Sequence, residues 1–162
     1  MKRFAILMLM MLTMAGLAGC APEKGRVSVG GYSLAFPEGY TVEAPVEDKE
    51  AGSVSILASK SNLQVQCVVK HEPEVVITEE TLKAEVALDT YLHPLAAETL
   101  KIEGVGDAYG VLVEDHALEM EFLYYKVKMG EDTVALVYGR PGALTLDQQA
   151  EAKVILSSLK PQ

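Results

Sequence analysis

The amino-acid sequence predicts a single α+β domain in which an antiparallel β-sheet is flanked by helices. Most of the chain beyond residue 25 alternates apolar and polar residues, as expected of strands with one buried face. Two segments instead have the helical period, one before the longest β stretch and one after it. Strands, a helix, more strands and a last helix are the order typical of an antiparallel sheet covered by helices.

Residues 1–19 have the pattern of an export signal. Lys2 and Arg3 precede an uncharged run over residues 4–19, which is rich in Leu and Met and ends in small residues. As a helix this run would be about 24 Å long, which is shorter than the ~30 Å hydrocarbon core of a bilayer. A signal peptide that is removed on export is therefore favoured over a membrane-spanning helix.

The end of that run, Leu17-Ala18-Gly19-Cys20, resembles the lipobox of bacterial lipoproteins. The resemblance implies cleavage before Cys20, a diacylglycerol on its sulfur and an acylated amino group, so that residues 20–25 form a lipidated tether. The protein would then lie in the cell envelope with the membrane as a partner. Ala21 is not the aspartate that retains many Gram-negative lipoproteins in the inner membrane. The expected location is the periplasmic face of the outer membrane in a Gram-negative cell, and otherwise the outer face of the plasma membrane.

The charge of the mature chain excludes one class of partner. Cleavage leaves 143 of the 162 residues, and the loss of Lys2 and Arg3 changes the formal net charge from −9 to −11. A nucleic-acid-binding protein needs clustered Lys and Arg to displace counterions, so no nucleic-acid partner is expected. Anionic headgroups would also repel the domain, so membrane attachment must come from the lipid.

The two cysteines have different expected roles. If Cys20 carries a lipid, Cys67 has no partner within the chain. Cys67 lies on the same period-2 face as Leu63, Val65 and Val69, so we expect a buried thiol that packs as a small apolar side chain. No His or acid shares that face, which argues against a reactive or metal-binding Cys67.

Short turns divide the first strands into hairpins. Residues 27–29 and 32–36 flank Gly30-Gly31, a composition suited to a two-residue turn. Residues 54–58 and 63–70 alternate in the same way and form a second candidate hairpin.

The longest β stretch, residues 109–138, contains a change of pattern. Leu118, Met120 and Phe122 form an apolar face at even positions, whereas apolar residues occupy odd positions from Leu123 onwards. A period-2 strand cannot change sides without help, so we predict a bulge or sharp twist near Leu123. Gly130-Glu131-Asp132 is the expected turn before the chain returns antiparallel. The adjacent pair Tyr124-Tyr125 should have one ring buried and one exposed, and the exposed ring either serves a protein interface or reflects the preference of tyrosine for sheets.

Both predicted helices have start signals. Thr78 can cap the first helix, whose first turn carries two glutamates. Its apolar stripe follows the i, i+3, i+4, i+7 spacing through Leu88, Tyr91, Leu92 and Leu95. Pro94 is expected to end or kink this helix near Leu92. Thr145 and Gln148 form a capping box at the start of the last helix. The apolar stripe of that helix is Ala152, Ile155, Leu156 and Leu159, and Pro161 follows it.

Two short motifs resemble the PsbP/DcrB-like superfamily. The first motif is YSLAFPEGYTV over residues 32–42, which is similar to the opening strand of that superfamily, where the strand runs into Phe-Pro-x-Gly-aromatic. The second motif is AEAKVILSSLK over residues 150–160, which is similar to its closing helix. The resemblance implies an α/β/α sandwich over residues 26–162. It implies no shared catalytic residues, and none are assigned from it.

Acids and histidines cluster in one segment, residues 114–121. Its candidates for a hydrolase or a metal-dependent enzyme are Glu114, Asp115, His116, Glu119 and Glu121. Glu119 and Glu121 would lie about 7 Å apart on one strand face, a separation that could flank a glycosidic bond. Their alternation with apolar residues equally suits a solvated face. His71 with Glu72 and Glu74 could supply two metal ligands, but a zinc site needs three or four.

The sequence favours a binding or assembly protein over an enzyme. The segment Gly104–Gly110 is followed by strands, so it suits a turn rather than a phosphate loop. No cofactor or metal is expected, and no calcium-loop motif supports a role in cation buffering. We expect a lipid-anchored, non-catalytic domain that contacts another envelope protein or a small ligand. The alternative is an envelope hydrolase or metal-dependent enzyme that uses the cluster at residues 114–121.

Overall fold

The computed structural model describes residues 25–162. The predicted signal peptide, residues 1–19, and the predicted lipid attachment at Cys20 lie outside these residues. Within the described range, no helix is both long and apolar enough to cross a membrane.

The helices are α1 (Glu79–Val86) and α2 (Leu146–Ser157). The strands are β1 (Arg26–Val29), β2 (Tyr32–Ala35), β3 (Thr41–Val42), β4 (Val46–Asp48), β5 (Ser53–Lys60), β6 (Leu63–His71), β7 (Leu92–Ile102), β8 (Gly106–Asp115), β9 (Met120–Met129), β10 (Asp132–Pro141) and β11 (Lys160–Pro161).

The strands form two antiparallel sheets. The larger sheet has the order β3-β5-β6-β10-β9-β8-β7, and β4 also pairs with β5. The smaller sheet has the order β1-β2-β11. Every pairing between these strands is antiparallel. The predicted α+β class, an antiparallel sheet with helices in a single domain, is therefore confirmed.

The predicted hairpins form with the expected turns. Val29 pairs with Tyr32, so Gly30 and Gly31 are the two residues of the first turn, and both have positive φ, at 53° and 84°. A Cβ on Gly30 would lie 2.8 Å from Cβ of Val69, so this turn also lies directly against β6. The later turns before β6, β8 and β10 likewise join antiparallel neighbours.

The central strands of the larger sheet are buried on both faces. On one face the β1–β2 hairpin and α2 cover a core that includes Leu34, Val65, Tyr125, Leu136 and Ile155. On the other face α1 covers a smaller core that consists of Leu82, Val86, Leu92, Val111, Val113, Phe122, Tyr124 and Val137. The central strands therefore lie between two hydrophobic layers, as in an α/β/α sandwich.

The bulge predicted near Leu123 is wrong. The register of β9 with β8 and with β10 is continuous through Leu123. The apolar pattern changes parity because Phe122 and Tyr124 face the core under α1, whereas Leu123 and Tyr125 face the core under α2. A strand buried on both faces can carry apolar residues at consecutive positions, so no irregularity is needed.

The predicted extent of the first helix is also wrong. Thr78 caps α1 as predicted, and its side chain accepts from the amide of Thr81, but the helix ends at Val86. Residues 92–102 form strand β7, whose register shifts between Pro94 and Ala96 where it pairs with β8. Pairing with β8 satisfies backbone groups that Pro94 would leave unsatisfied in a helix.

The last helix is confirmed. Thr145 and Gln148 form the predicted capping box at the start of α2. The predicted stripe faces the core, and its four members are each 0–1% exposed: Ala152, Ile155, Leu156 and Leu159. After the helix, residues 160–161 form the short strand β11 beside β2.

Candidate functional site

A concavity lies at one end of the larger sheet, where β8 ends, β9 begins and β10 ends. The pairing of Asp115 with Met120, and of Met120 with Pro141, places these three strand ends side by side. The concavity has a volume of about 360 Å³. Its lining residues are Glu114, Asp115, His116, Glu119, Met120, Glu121, Gly142 and Ala143. All five residues of the cluster predicted over residues 114–121 therefore line one concavity.

The arrangement inside that cluster differs from the prediction. Glu119 lies in the turn between β8 and β9, where its φ is 49°, and not on a strand face beside Glu121. Glu121 instead pairs across the strands with Glu114, and Glu114 pairs with His93 of β7. The period-2 pattern misplaced Glu119 because the sequence does not show where β9 begins.

Two of the carboxylates hold the local backbone in place. Asp115 is 4% exposed, and its Oδ1 accepts from the amides of Ala117 at 2.8 Å and Leu118 at 3.0 Å. Oε2 of Glu121 accepts from the amide of Leu144 at 2.8 Å, just before α2. These bonds order the two segments that form the wall of the concavity.

The histidines do not assemble a metal site. His116 Nε2 lies 3.7 Å from Glu114 Oε2, and the rings of His93 and His116 are 6.1 Å apart between centroids. His71, on a different part of the sheet, pairs through Nδ1 with Asp132 at 3.1 Å. Glu72 pairs with Lys70 rather than with His71. Among residues 25–162, no group of three or more His, Cys, Asp or Glu side chains is placed to hold a metal ion.

The carboxylates around the concavity differ in their neighbours from the other glutamates of the domain, since Glu114 lies 3.7 Å from His116 Nε2 and Glu121 has Arg140 as its cross-strand partner. In the described part of the chain, Glu114, Glu119 and Glu121 form no salt bridge with Lys or Arg. The glutamates that do pair with lysine lie elsewhere, and they are Glu72, Glu79, Glu85, Glu98 and Glu151. The concavity therefore gathers glutamates that no Lys or Arg salt bridge among the described residues neutralises.

Exposed apolar residues lie at the same end of the sheet as the concavity. Tyr91 is 61% exposed, and its carbonyl accepts from the amide of His116. Leu118 in the adjoining turn is 52% exposed, and Leu146, three residues after Ala143, is 81% exposed. Sequence reasoning missed this surface because it assigned Tyr91 to a helix stripe and Leu118 to a buried strand face.

Hydrogen bonds from the buried rings of Tyr124 and Tyr125 connect the layers of the domain, so these rings are not available for the protein interface considered above. Tyr125 donates to Glu98 at 2.5 Å, and Lys153 of α2 donates to the same carboxylate at 2.7 Å. On the other face Tyr124 donates to Glu85 of α1, which also pairs with Lys126. The two rings do lie on opposite faces as predicted, but the prediction that one of them is exposed is wrong.

A third cluster of this kind is centred on Glu151 of α2. Its Oε1 accepts from Tyr40 at 2.6 Å and from Tyr138 at 3.1 Å, and its Oε2 pairs with Lys60 at 3.0 Å. Partial burial opposes ionisation of Glu151, but the hydrogen bonds from Tyr40 and Lys60 outweigh it and lower the pKa of the carboxyl. Burial raises the pKa of Tyr138 to about 12. These shifts favour a neutral phenol and a charged carboxylate, which is a structural pairing.

Cys67 is buried as predicted. It is 0% exposed in the core under α2, and it is a free thiol. Burial raises the pKa of this thiol to about 12, which keeps it protonated and unreactive at neutral pH.

Comparison with known proteins identifies the fold. No protein-family model matches the chain, and no curated protein matches it. The solution structure of cyanobacterial PsbP (CyanoP) from Synechocystis sp. PCC 6803 is similar, with a TM-score of 0.59 and 12% identity, and the match covers 91% of this chain and 98% of that one. A crystal structure from Bacteroides thetaiotaomicron VPI-5482 matches at a TM-score of 0.46 and 13% identity, over 86% of this chain and 49% of the other. The chain therefore has a PsbP-like α+β fold.

Proposed function

We propose that the chain is an exported lipoprotein, anchored in the cell envelope through Cys20, and that its PsbP-like domain is a non-catalytic binding or assembly domain. The domain contacts another envelope protein or a small ligand and uses no cofactor. The proposal rests on the LAGC motif at residues 17–20, the acidic net charge and the character of the concavity at the end of the sheet.

One observation carries the non-catalytic part of the proposal. The buried carboxylate Asp115 and the neighbouring Glu121 each accept from backbone amides, so they stabilise the wall of the concavity. General acid–base catalysis needs a carboxyl that is free to exchange a proton with a substrate. The carboxylates that remain accessible, together with the exposed apolar residues beside them, suit recognition rather than proton transfer.

The tether determines how far the domain extends from its membrane. The described chain starts at Gly25, whose carbonyl accepts from the amide of Phe36 at 2.8 Å, so the tether ends against the folded domain. The five residues that follow Cys20 reach about 16–18 Å when fully extended. A lipid on Cys20 would therefore keep the domain next to the bilayer surface. The absence of aspartate at position 21 supports an outer-membrane location in a Gram-negative cell.

Mass spectrometry of the membrane-extracted protein tests the anchor. We expect a mature chain that starts at Cys20 and carries a diacylglycerol and an additional acyl chain, because two or more chains are needed for a lasting anchor. The Cys20→Ala variant should lose the lipid and leave the membrane fraction. A chain that starts at Met1 with an unmodified Cys20 would contradict the proposal.

Photo-crosslinking in intact cells tests the binding role. A photoreactive amino acid is placed at single exposed positions on all sides of the domain, including Val46, Val76, Leu118 and Val154. We expect a discrete crosslinked protein from a contiguous subset of these positions. If no position gives a discrete product, and a panel of small envelope ligands gives no thermal shift, the domain is not a binding domain.

A hydrolase or metal-dependent enzyme is the second candidate. The convergence of Glu114, His116 and Glu121 around one concavity favours it. Purified protein would be tested on chromogenic ester, phosphate, glycoside and peptide substrates, with and without added divalent metal. An activity that Glu114→Gln abolishes would establish an enzyme, and inactivity on every substrate class would remove this alternative.

A further inference from the structure

We propose that the surface formed by Tyr91, Leu118, Leu146 and the carboxylates of Glu114 and Glu119, here named the strand-end surface, docks a polypeptide segment in which a Lys or Arg is flanked by apolar side chains. The inference rests on the proposed binding function and assigns its contact site and the chemistry of its partner. The basic side chain enters the concavity, and the neighbouring apolar side chains cover the exposed residues around it.

The apolar residues of this surface lie at the same end of the sheet as the concavity, and each is close in the chain or by a backbone hydrogen bond to a residue that lines it. Tyr91 is held there by the hydrogen bond from the amide of His116 to its carbonyl, at 3.0 Å. Leu118 follows His116 by two residues, within the turn that also carries Glu119. Leu146 begins α2 three residues after Ala143, which lines the concavity. Large apolar side chains gathered at one place on a surface are typical of protein interaction sites.

The charge of the surface selects the sign of the partner. Glu114 and Glu119 have no lysine or arginine partner among the described residues, and the nearest basic group to Glu114 is His116, at 3.7 Å. Glu85 and Glu151 of the helices and Glu98 of β7, by contrast, each pair with a lysine. A carboxylate pair in a concave site attracts a cation and repels phosphate groups, so a nucleic acid or an anionic membrane does not suit it. A lysine or arginine head also fits within about 360 Å³.

The site is held ready for binding by its own hydrogen bonds. Asp115 orders the turn that carries Leu118, and Glu121 orders the segment that leads to Leu146. Because these bonds already fix the backbone, a partner loses little affinity to ordering this surface. Met120, which is 8% exposed, provides an apolar wall for the methylene part of a basic side chain.

A peptide selection tests the proposal with a matched control. The full-length lipidated chain in detergent is presented to a display library of random twelve-residue peptides. The test variant is Glu114→Gln/Glu119→Gln/Leu118→Ser, which leaves the structural carboxylates Asp115 and Glu121 unchanged. The control variant is Glu47→Gln/Glu50→Gln/Val46→Ser at the opposite edge of the sheet, where Val46 is 55% exposed. Both variants remove two charges and one exposed apolar side chain, and thermal unfolding confirms that both are folded.

The selection has distinct supporting and contradicting outcomes. We expect the wild type and the control variant to enrich peptides in which a Lys or Arg has apolar neighbours. The enriched peptides should bind the test variant at least about tenfold more weakly in fluorescence anisotropy, with less than a twofold change for the control. No enrichment, enrichment of acidic peptides, or an equal loss in both variants would overturn the proposal.

The crosslinking scan separates failure of this inference from failure of the proposed function. A discrete partner crosslinked at Val46, Val76 or Val154 but not at Leu118 would leave the binding role in place and move the contact site elsewhere. Crosslinking of Leu118 to residues 1–24 of the same chain, or only to lipid, would also contradict the inference.

Discussion

At the scale of single residues, Gly110 and Tyr125 show how tightly the layers of this domain are fitted. The two residues pair across β8 and β9, and a Cβ on Gly110 would lie 2.2 Å from Cε1 of Tyr125. The ring must cross this position for its hydroxyl to reach Glu98. The φ of Gly110 is not positive, so its backbone conformation does not require glycine. Glycine is needed here because a side chain would occupy the space that the ring of Tyr125 fills.

We therefore predict that Gly110→Ala destabilises the protein through the Tyr125 ring. The free energy of unfolding should fall by about 2–3 kcal/mol, since the ring or the strand must shift to accommodate the new methyl group. In a Tyr125→Leu background the same change should cost less than about 0.5 kcal/mol, because alanine suits a strand better than glycine. Urea denaturation of the four proteins measures both values, and an equal cost in both backgrounds would show that the ring is not involved.

Cys67 provides a second prediction at this scale. With Cys20→Ala it is the only remaining cysteine, and its thiol is fully buried with a pKa of about 12. A thiol-specific reagent should therefore not react with it in native buffer at neutral pH and should react quickly once urea unfolds the chain. Rapid modification of the native protein would mean that the core under α2 opens.

At the scale of elements, β9 explains most of the errors made from the sequence. Alternation identifies one buried face, and a change of parity then suggests a bulge. In β9 both faces are buried, so apolar residues at positions 122–125 carry no information about register. The same ambiguity led to the prediction that one ring of Tyr124-Tyr125 is exposed.

Two alanine substitutions test the double burial of β9. Phe122→Ala and Leu123→Ala affect opposite faces, and each should lower the free energy of unfolding by about 3 kcal/mol. Leu118→Ala, in the exposed turn, should change it by less than about 0.5 kcal/mol. Equilibrium unfolding in urea measures all three, and a cost below about 1 kcal/mol at either buried position would indicate that one face of the strand is solvated.

Strand β7 was missed because its sequence is compatible with two structures. Leu88, Tyr91 and Leu95 recur at helical spacing, yet they are between 46% and 73% exposed. Helix α1 already packs on the sheet through the buried side chains of Leu82 and Val86. Residues 92–102 can then pair with the backbone of β8, which favours a strand over a longer helix. The capping residues predicted the positions of the helices better than the apolar stripes did. Thr78 and Thr145 each begin a helix through a local hydrogen bond that needs no tertiary partner.

At the scale of the whole molecule, clusters of tyrosine, carboxylate and lysine connect each helix to the sheet. Glu98 and Glu151 are bound by residues from several elements, and hydrogen bonds from lysine and tyrosine lower the pKa of both carboxyls despite their partial burial. A further contact joins the two sheets, since the hydroxyl of Tyr32 in β2 donates to Asp132 of β10 at 2.8 Å. Burial, aided by Asp132, raises the pKa of Tyr32 to about 12, and burial raises that of Tyr138 to about 12. These clusters make the stability of the domain depend on pH in two ranges.

We predict a plateau of stability with losses on both sides. The carboxyls have lowered pKa values in the folded state, so their stabilisation is complete above the ordinary value of 4.5 and is lost as the pH falls below it. The tyrosines have raised pKa values, so their stabilisation is complete below pH 10 and is lost as the pH rises from 10 towards 12. Urea midpoints across the pH range test this, and Tyr138→Phe should reduce the alkaline loss. Unchanged stability up to pH 12 would contradict the assignment.

The sequence by itself determined the properties that depend on composition and local hydrogen bonding. These are the fold class, the hairpin turns, both helix starts, the burial of Cys67 and the cluster of candidate residues over 114–121. The export signal and the lipid on Cys20 are predictions of the same kind, because they depend on a linear motif. Each of these features involves residues that are close in the chain, so a local pattern is sufficient to identify it.

Only the tertiary structure decided which surfaces are buried and which are left open. Packing of layers on both faces of the sheet buried Phe122 and Leu123 together, and it left Tyr91, Leu118 and Leu146 exposed around the carboxylates at the end of the strands. Exposure depends on what covers a side chain from distant parts of the sequence, and a local period indicates it only for an element that is buried on one face and solvated on the other. The strand-end surface is therefore a consequence of the three-dimensional arrangement, although every residue that forms it can be read from the sequence.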